Sequence, residues 1–143
     1  MNVPTTVIGM TGERRTALAP VSTQMAGSIL KALSDRFSER IMMHAIDQAR
    51  TIEEISSHEA IPLSTCYRRM QQLVDDGLVV VERIVITSSG KRYALYRSSF
   101  RSFRISADPH GVAVEAEMNK DVQEKILSRR LSISYESSDE VMS

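Results

Sequence analysis

The segment TIEEISSHEAIPLSTCYRRMQQLVDDGL, from Thr51 to Leu78, reads as two short helices joined by a tight turn. Thr51 and Glu54 have the spacing of a capping box, in which the hydroxyl and the carboxylate each satisfy a backbone N–H at the helix start. Ile52 and Ile55 then point inward. The chain turns around Ala60 and Ile61. Pro62 is suited to open the second helix because its missing N–H would have no partner there anyway. Gly77 ends that helix.

Along the second helix, Leu63, Cys66, Met70, Leu73 and Val74 fall within about 60° of one direction at about 100° per residue. They form the expected buried stripe. The opposite face carries Ser64, Thr65, Arg68 and Gln72, with Arg69 and Gln71 beside them and Tyr67 at the boundary. Such a face is either the solvated side of an ordinary amphipathic helix or a set of groups able to meet base edges in a DNA major groove. In the second case Arg suits guanine and Gln suits adenine.

Working outward, the period changes after Gly77 from helical to strand-like in LVVVERIVIT, followed by SSGKR and YALYRS. This is the pattern of a β-hairpin with Ser88 to Gly90 at its turn and Lys91 and Arg92 beside its tip. On the other side, a helix is expected from Ser22 through Leu33, with Met25, Ile29, Leu30 and Leu33 near helical spacing. Asp35 has the position of a cap for the next helix, where Phe37, Ile41, Met42, Ala45 and Ile46 share a side. Helix, helix, helix, turn, helix and basic hairpin, in effect, is the order of a winged helix-turn-helix. The fold class is mainly α with a small antiparallel sheet.

The 143 residues carry no net charge, yet the distribution is uneven. From Pro62 to Arg104 there are 8 basic and 3 acidic residues, whereas acidic residues prevail on either side. Lys91, Arg92, Arg97, Arg101 and Arg104 follow one another with no acidic residue between them. That run suits a surface facing phosphates, or equally a strand edge guarded by charge. No apolar run approaches the roughly 18 residues of a membrane span, and no secretory signal order is seen near the start. A cytoplasmic protein without a membrane partner is expected. The single cysteine, Cys66, excludes an intramolecular disulfide.

From about Leu30 to Ser99, half of the chain, the sequence resembles the winged helix-turn-helix transcriptional regulators of the ArsR-like group, especially archaeal ones. The stretches that carry it are LKALSDRFSERIMMHAI, TIEEIS, IPLSTCYRRMQQLVDDGLV and SSGKRYALYRSSFRSFRI. The resemblance implies double-stranded DNA as partner, with Ser64, Thr65, Tyr67, Arg68 and Arg69 facing it. Together with the helix reading this makes Ser64, Thr65, Tyr67, Arg68, Arg69 and Gln72 the expected base-reading set. Lys91, Arg92 and Arg97 are the expected phosphate contacts. Two other uses of the fold stay open: a protein-interaction module in transcription machinery, and a ligand or redox sensor.

Metal-sensing members of that group carry paired cysteines on the helix before the recognition helix, and TIEEISSHEA has none. His44, His58 and His110 fall on three different expected elements without an i, i+4 partner, so no metal site and no cofactor is expected. Cys66 falls on the buried stripe, where it serves as a small apolar residue. Enzyme activity is not expected either: there is no glycine-rich phosphate loop and no nucleophile elbow, and Asp75 and Asp76 point about 100° apart.

Beyond the wing, strands are expected near Phe100 to Ser106 and Val112 to Glu117, separated by Asp-Pro-His-Gly and extending the wing sheet. A helix from Asn119 to about Leu131 follows, with Asn119 as its cap and Val122, Ile126 and Leu127 on one side. A helix of that length is marginal alone and must dock on its own domain or on a second copy. A homodimer built by it and the helix from Ser22 would set two recognition helices about one DNA turn apart. The expected organisation is a flexible arm over 1–21, the winged helix-turn-helix over 22–106, a strand and C-terminal helix over 107–135, and a disordered tail over 136–143.

Overall fold

The computed structural model describes residues 17–125 and 127–128. Helix α1, Thr23–Ser34, begins where the Ser22 hydroxyl accepts from the Met25 amide. Asp35 closes α1 and caps α2, Arg36–His44, by accepting from the Ser38 amide at 2.9 Å. Helix α3, Ile52–Glu59, opens on the full capping box: Thr51 Oγ1 accepts from Glu54 N at 3.0 Å, and Thr51 N donates to Glu54 Oε1 at 2.9 Å. A box of this kind is worth on the order of 1 kcal/mol.

Between α3 and α4, Leu63–Asp75, the turn is made by Ala60, a non-glycine residue in the left-handed region at φ 56°. Its geometry lets the Ile61 amide reach back to the Ser56 carbonyl at 3.0 Å. At the other end of α4, Gly77 takes φ 81°. The Leu78 amide bonds to the Leu73 carbonyl and the Gly77 amide to the Val74 carbonyl, which is the Schellman pattern. Both helix ends are thus set by local chemistry, and they aim α4 across α2 and α3.

The core lies where α1 to α4 meet. Ile29, Ile41, Met42, Ile55, Met70 and Leu73 are fully or nearly fully buried there, joined by Leu78 and Val79. Cys66, Met70 and Leu73 fulfil the expected stripe. Leu63 does not: it is the first residue of α4 and is 46% exposed.

Strands β2, Val79–Ile86, and β3, Arg92–Ser98, form the antiparallel wing hairpin. Arg50 adds a one-residue bridge to it, exchanging backbone hydrogen bonds with Tyr96 at 2.8 and 2.9 Å. A register shift between Val81 and Arg83 accommodates Glu82 as an extra residue.

The second hairpin, β4 Phe100–Asp108 and β5 Gly111–Met118, does not extend the wing as expected. It forms a separate sheet in the order β1-β5-β4, in which β1, Ala19–Pro20, pairs with Ala116 and Glu115. The break falls at Ser99, whose amide donates to the Leu78 carbonyl and whose carbonyl accepts from Asn119. Phe100, Val114 and Ala116 then enter the helical core. Residues 19 and 20 therefore belong to a sheet rather than to the expected arm, and the expected boundary between 106 and 107 cuts through β4.

A helical segment begins at residue 120. Val122 is buried as expected, but Leu127 is 57% exposed. Asn119 is itself buried, its side-chain amide donating to the carbonyls of Ile46 and Ser98, which ties this segment to the domain. The rest of the expected C-terminal helix, the tail and most of the arm lie outside the described residues.

Candidate nucleic-acid interface

The outer face of α4 stands clear of the core. Ser64, Arg68 and Gln72 are exposed, Thr65 is half-buried, and Tyr67 is 48% exposed. The Tyr67 hydroxyl donates to Glu53 Oε2 at 2.9 Å, and that hydrogen bond, with the Glu53 charge, raises its pKa above the ordinary tyrosine value. Gln72 is oriented along the helix by donating to the Asp76 carboxylate one turn on, at 3.2 Å.

Arg69 is placed differently from its neighbours. It lies against the start of α2 and grips the Asp35 carboxylate through Nε at 2.9 Å and Nη2 at 3.2 Å. Burial pushes the Asp35 carboxyl up, but the Ser38 amide and the Arg69 guanidinium outweigh it and hold the group below its ordinary value. The expectation that Arg69 faces outward is corrected: a bidentate ion pair holds it between α2 and α4.

The wing separates its cations in the same way. Lys91 and Arg92 are exposed beside the turn, where the Thr87 hydroxyl accepts from the Lys91 amide. Arg97 is only 2% exposed. Its Nη1 donates to Glu82 Oε1 at 2.8 Å, its Nε to the Ile46 carbonyl at 2.8 Å, and its Nη2 to Asp121 Oδ2 at 3.3 Å. The expected phosphate contact at Arg97 is therefore corrected: the side chain is an internal clamp. Arg101 and Arg104 sit on β4 beside Asp47 and Glu115, at 2.7 and 3.6 Å. The run of five basic residues thus resolves into two cations at the wing tip and three paired elsewhere.

Between the start of α3 and the wing lies an open cleft of about 910 Å³. Tyr67 lines it from α4, Glu53 and Glu54 from α3, and Arg83, Lys91 and Arg92 from the wing. Arg83 was not singled out in the sequence. Strict alternation from Val79 hides it among apolar residues, and only the irregularity at Glu82 exposes it beside the wing cations. Glu53 also links the cleft to Cys66 and Tyr96: burial first, then the Glu53 charge, raises the Cys66 thiol to about 11 and raises Tyr96 as well.

Two histidines that look unrelated in sequence meet in space. His44 ends α2 and His58 lies in the last turn of α3, with ring centroids 4.6 Å apart. His110 lies in the β4–β5 turn.

No family model matches the chain, and no curated protein sequence does. A solved structure, HlyU from Vibrio cholerae N16961, aligns at 18% identity over 75% of this chain and 90% of that chain, with a TM-score of 0.38. A likeness of that degree assigns neither family nor function. Among the described residues no helix is long and apolar enough to cross a membrane.

Proposed function

We propose that the chain is a sequence-specific double-stranded DNA-binding transcriptional regulator, with α4 in the major groove and the β2–β3 wing on the flanking phosphates. The observation that carries this reading is a pair of exposed features: α4 has an unburied, hydrogen-bonding outer face, and the hairpin that follows it has exposed tip cations, Lys91 and Arg92, which share one cleft with Tyr67 of α4. Ser64, Thr65, Tyr67, Arg68 and Gln72 read bases, Arg68 being the cation on the outer face of α4 that is not held by Asp35. Lys91, Arg92 and Arg83 meet phosphates. The protein works as a homodimer in the cytoplasm, so that two copies of α4 enter successive major grooves about 34–36 Å apart.

The two groups of residues fail in different ways. Arg68→Ala costs about 1–3 kcal/mol on a selected duplex and relaxes base preference. Lys91→Ala weakens every duplex alike and flattens the salt slope by about one unit. Fluorescence anisotropy on selected and random duplexes measures both. Equal losses on both duplexes for both variants would contradict the assignment.

A second reading has one observation in its favour. Leu63, Tyr67, Ile84, Ile86 and Tyr93 are large apolar or aromatic side chains exposed on α4 and the wing, which suits a protein partner instead of a nucleic acid. It predicts no duplex binding even at low salt.

A further inference from the structure

His44, His58 and Glu59 bring two imidazoles and a carboxylate to one point. Each offers one ligand atom, and the three atoms all lie within 4.8 Å of one another. Glu59 Oε2 stands 2.9 Å from His44 Nδ1 and 3.7 Å from His58 Nδ1. Ligand atoms around a tetrahedral zinc ion, with bonds near 2.0–2.1 Å, stand about 3.3 Å apart, so the two distances straddle the spacing a metal requires. The second is longer than a hydrogen bond, and a bridging cation would draw it in.

The surroundings favour a cation. His44 and Glu59 are the last residues of α2 and α3, and His58 lies in the last turn of α3. Two helix C-termini therefore converge with their partial negative charge on this point. The nearby guanidinium of Arg40 reaches the Glu59 backbone carbonyl at 3.5 Å, not its carboxylate. Burial is graded: the His44 side chain is 10% exposed, Glu59 26% and His58 72%, so the site is held from inside and entered from solvent.

We propose that His44, His58 and Glu59 form a binding site for a divalent transition-metal ion of the zinc class, its remaining positions open to water. Two nitrogen donors and one oxygen select a borderline cation over magnesium or calcium. Binding replaces the His44–Glu59 hydrogen bond with two metal bonds and adds His58, which at present makes no such bond to Glu59. Because Glu59 immediately precedes the left-handed Ala60 of the turn into α4, the ion fastens α2 to α3 and stiffens the helix-turn-helix turn.

The test uses the full untagged chain, stripped with a chelator, and does not involve DNA, so it stands apart from the reading above. Titration with cobalt(II) should give one equivalent of a visible ligand-field spectrum that zinc(II) displaces. Zinc(II) should also raise the melting temperature by several degrees. His58→Ala alters an exposed side chain and so keeps the fold; it should weaken zinc binding by at least about tenfold in competition with a chromophoric chelator. It should melt as the parent chain does in chelator, and His110→Ala should bind like the parent. The proposal is overturned by the absence of a saturable cobalt spectrum, by unchanged affinity in His58→Ala, or by a thiolate charge-transfer band, which would move the ion to Cys66.

Discussion

Arg97 Nη1 donates to Glu82 Oε1 at 2.8 Å inside the protein, with both side chains almost wholly buried. Glu82 is the extra residue of the β2 irregularity, and Arg97 reaches on to the Ile46 carbonyl and to Asp121. One ion pair thus joins the wing base, the loop after α2 and the segment that follows β5. Lys125 and Arg83, 3.5 and 4.0 Å from Glu82 Oε2, add two further cations at the rim.

Removing Arg97 takes from the buried Glu82 carboxylate its buried partner and leaves it only the cations at the rim. Arg97→Leu should therefore lower stability by about 3–5 kcal/mol in urea denaturation, while the double change Arg97→Leu with Glu82→Leu should recover most of the loss. A single variant as stable as the parent would show that the pair is not the clamp described.

The capping box at Thr51, the cap at Asp35, the Pro62 and Gly77 signals and the Cys66, Met70, Leu73 stripe were legible in the sequence because each is local, within four residues of its partner or on one helix. The burial of Arg97 has no local sign in the sequence, because its partner is 15 residues away and reaches it only through an irregular strand. His44 and His58 look unrelated in sequence for the same reason: the helix ends that unite them meet only after α2 packs on α3. The separate β1-β5-β4 sheet has no sequence signal, because two-residue β1 carries no periodicity. In the candidate interface, the polar face of α4 and the wing-tip cations were legible, whereas the burial of Arg97, the pairing of Arg69 and the exposure of Arg83 were tertiary facts.

Cys66 packs with no exposure against the Ile52 carbonyl, and its thiol is raised to about 11 by burial and by Glu53. At neutral pH almost none is thiolate, so iodoacetamide should modify the native chain far more slowly than a free thiol and react fully once urea unfolds it. Rapid native alkylation would place the side chain on the surface and reopen a redox role.

Ala60 holds a left-handed conformation that costs a side-chain-bearing residue about 1–2 kcal/mol, part of which glycine returns as lost chain entropy in folding. Ala60→Gly should stabilise the domain by on the order of 0.5 kcal/mol and raise the melting temperature by about 2–4 °C. A fall in melting temperature would mean that the alanine methyl contributes packing that outweighs the strain.

The Asp35 carboxyl is held below its ordinary value in the folded chain, so it binds protons less readily there than in the unfolded chain. Its contribution is complete above about pH 4 and is lost as pH falls through the lower folded value. The parent chain should lose stability as pH falls below about 4, and Asp35→Asn, which keeps a cap but not the charge, should lose less over that range. Because Arg69 and Asp35 are each about one-third exposed, the difference at neutral pH should stay within about 1 kcal/mol. An identical acid profile for the two chains would remove this ion pair from the stability of the α2–α4 contact.

The most direct test of the DNA-reading assignment is selection of bound sequences from a pool of random duplexes across a salt series, followed by sequencing. Arg68, Arg83, Lys91 and Arg92, the cations of the proposed interface among the described residues, should together neutralise about four phosphates per copy, a contribution near −3 to −4 to the slope of log affinity against log salt. The expected result is an enriched motif with two-fold symmetry and half-sites about 10 base pairs apart. No enrichment, with binding lost at moderate salt, would contradict sequence reading by α4 and turn the exposed apolar residues of α4 and the wing toward a protein partner.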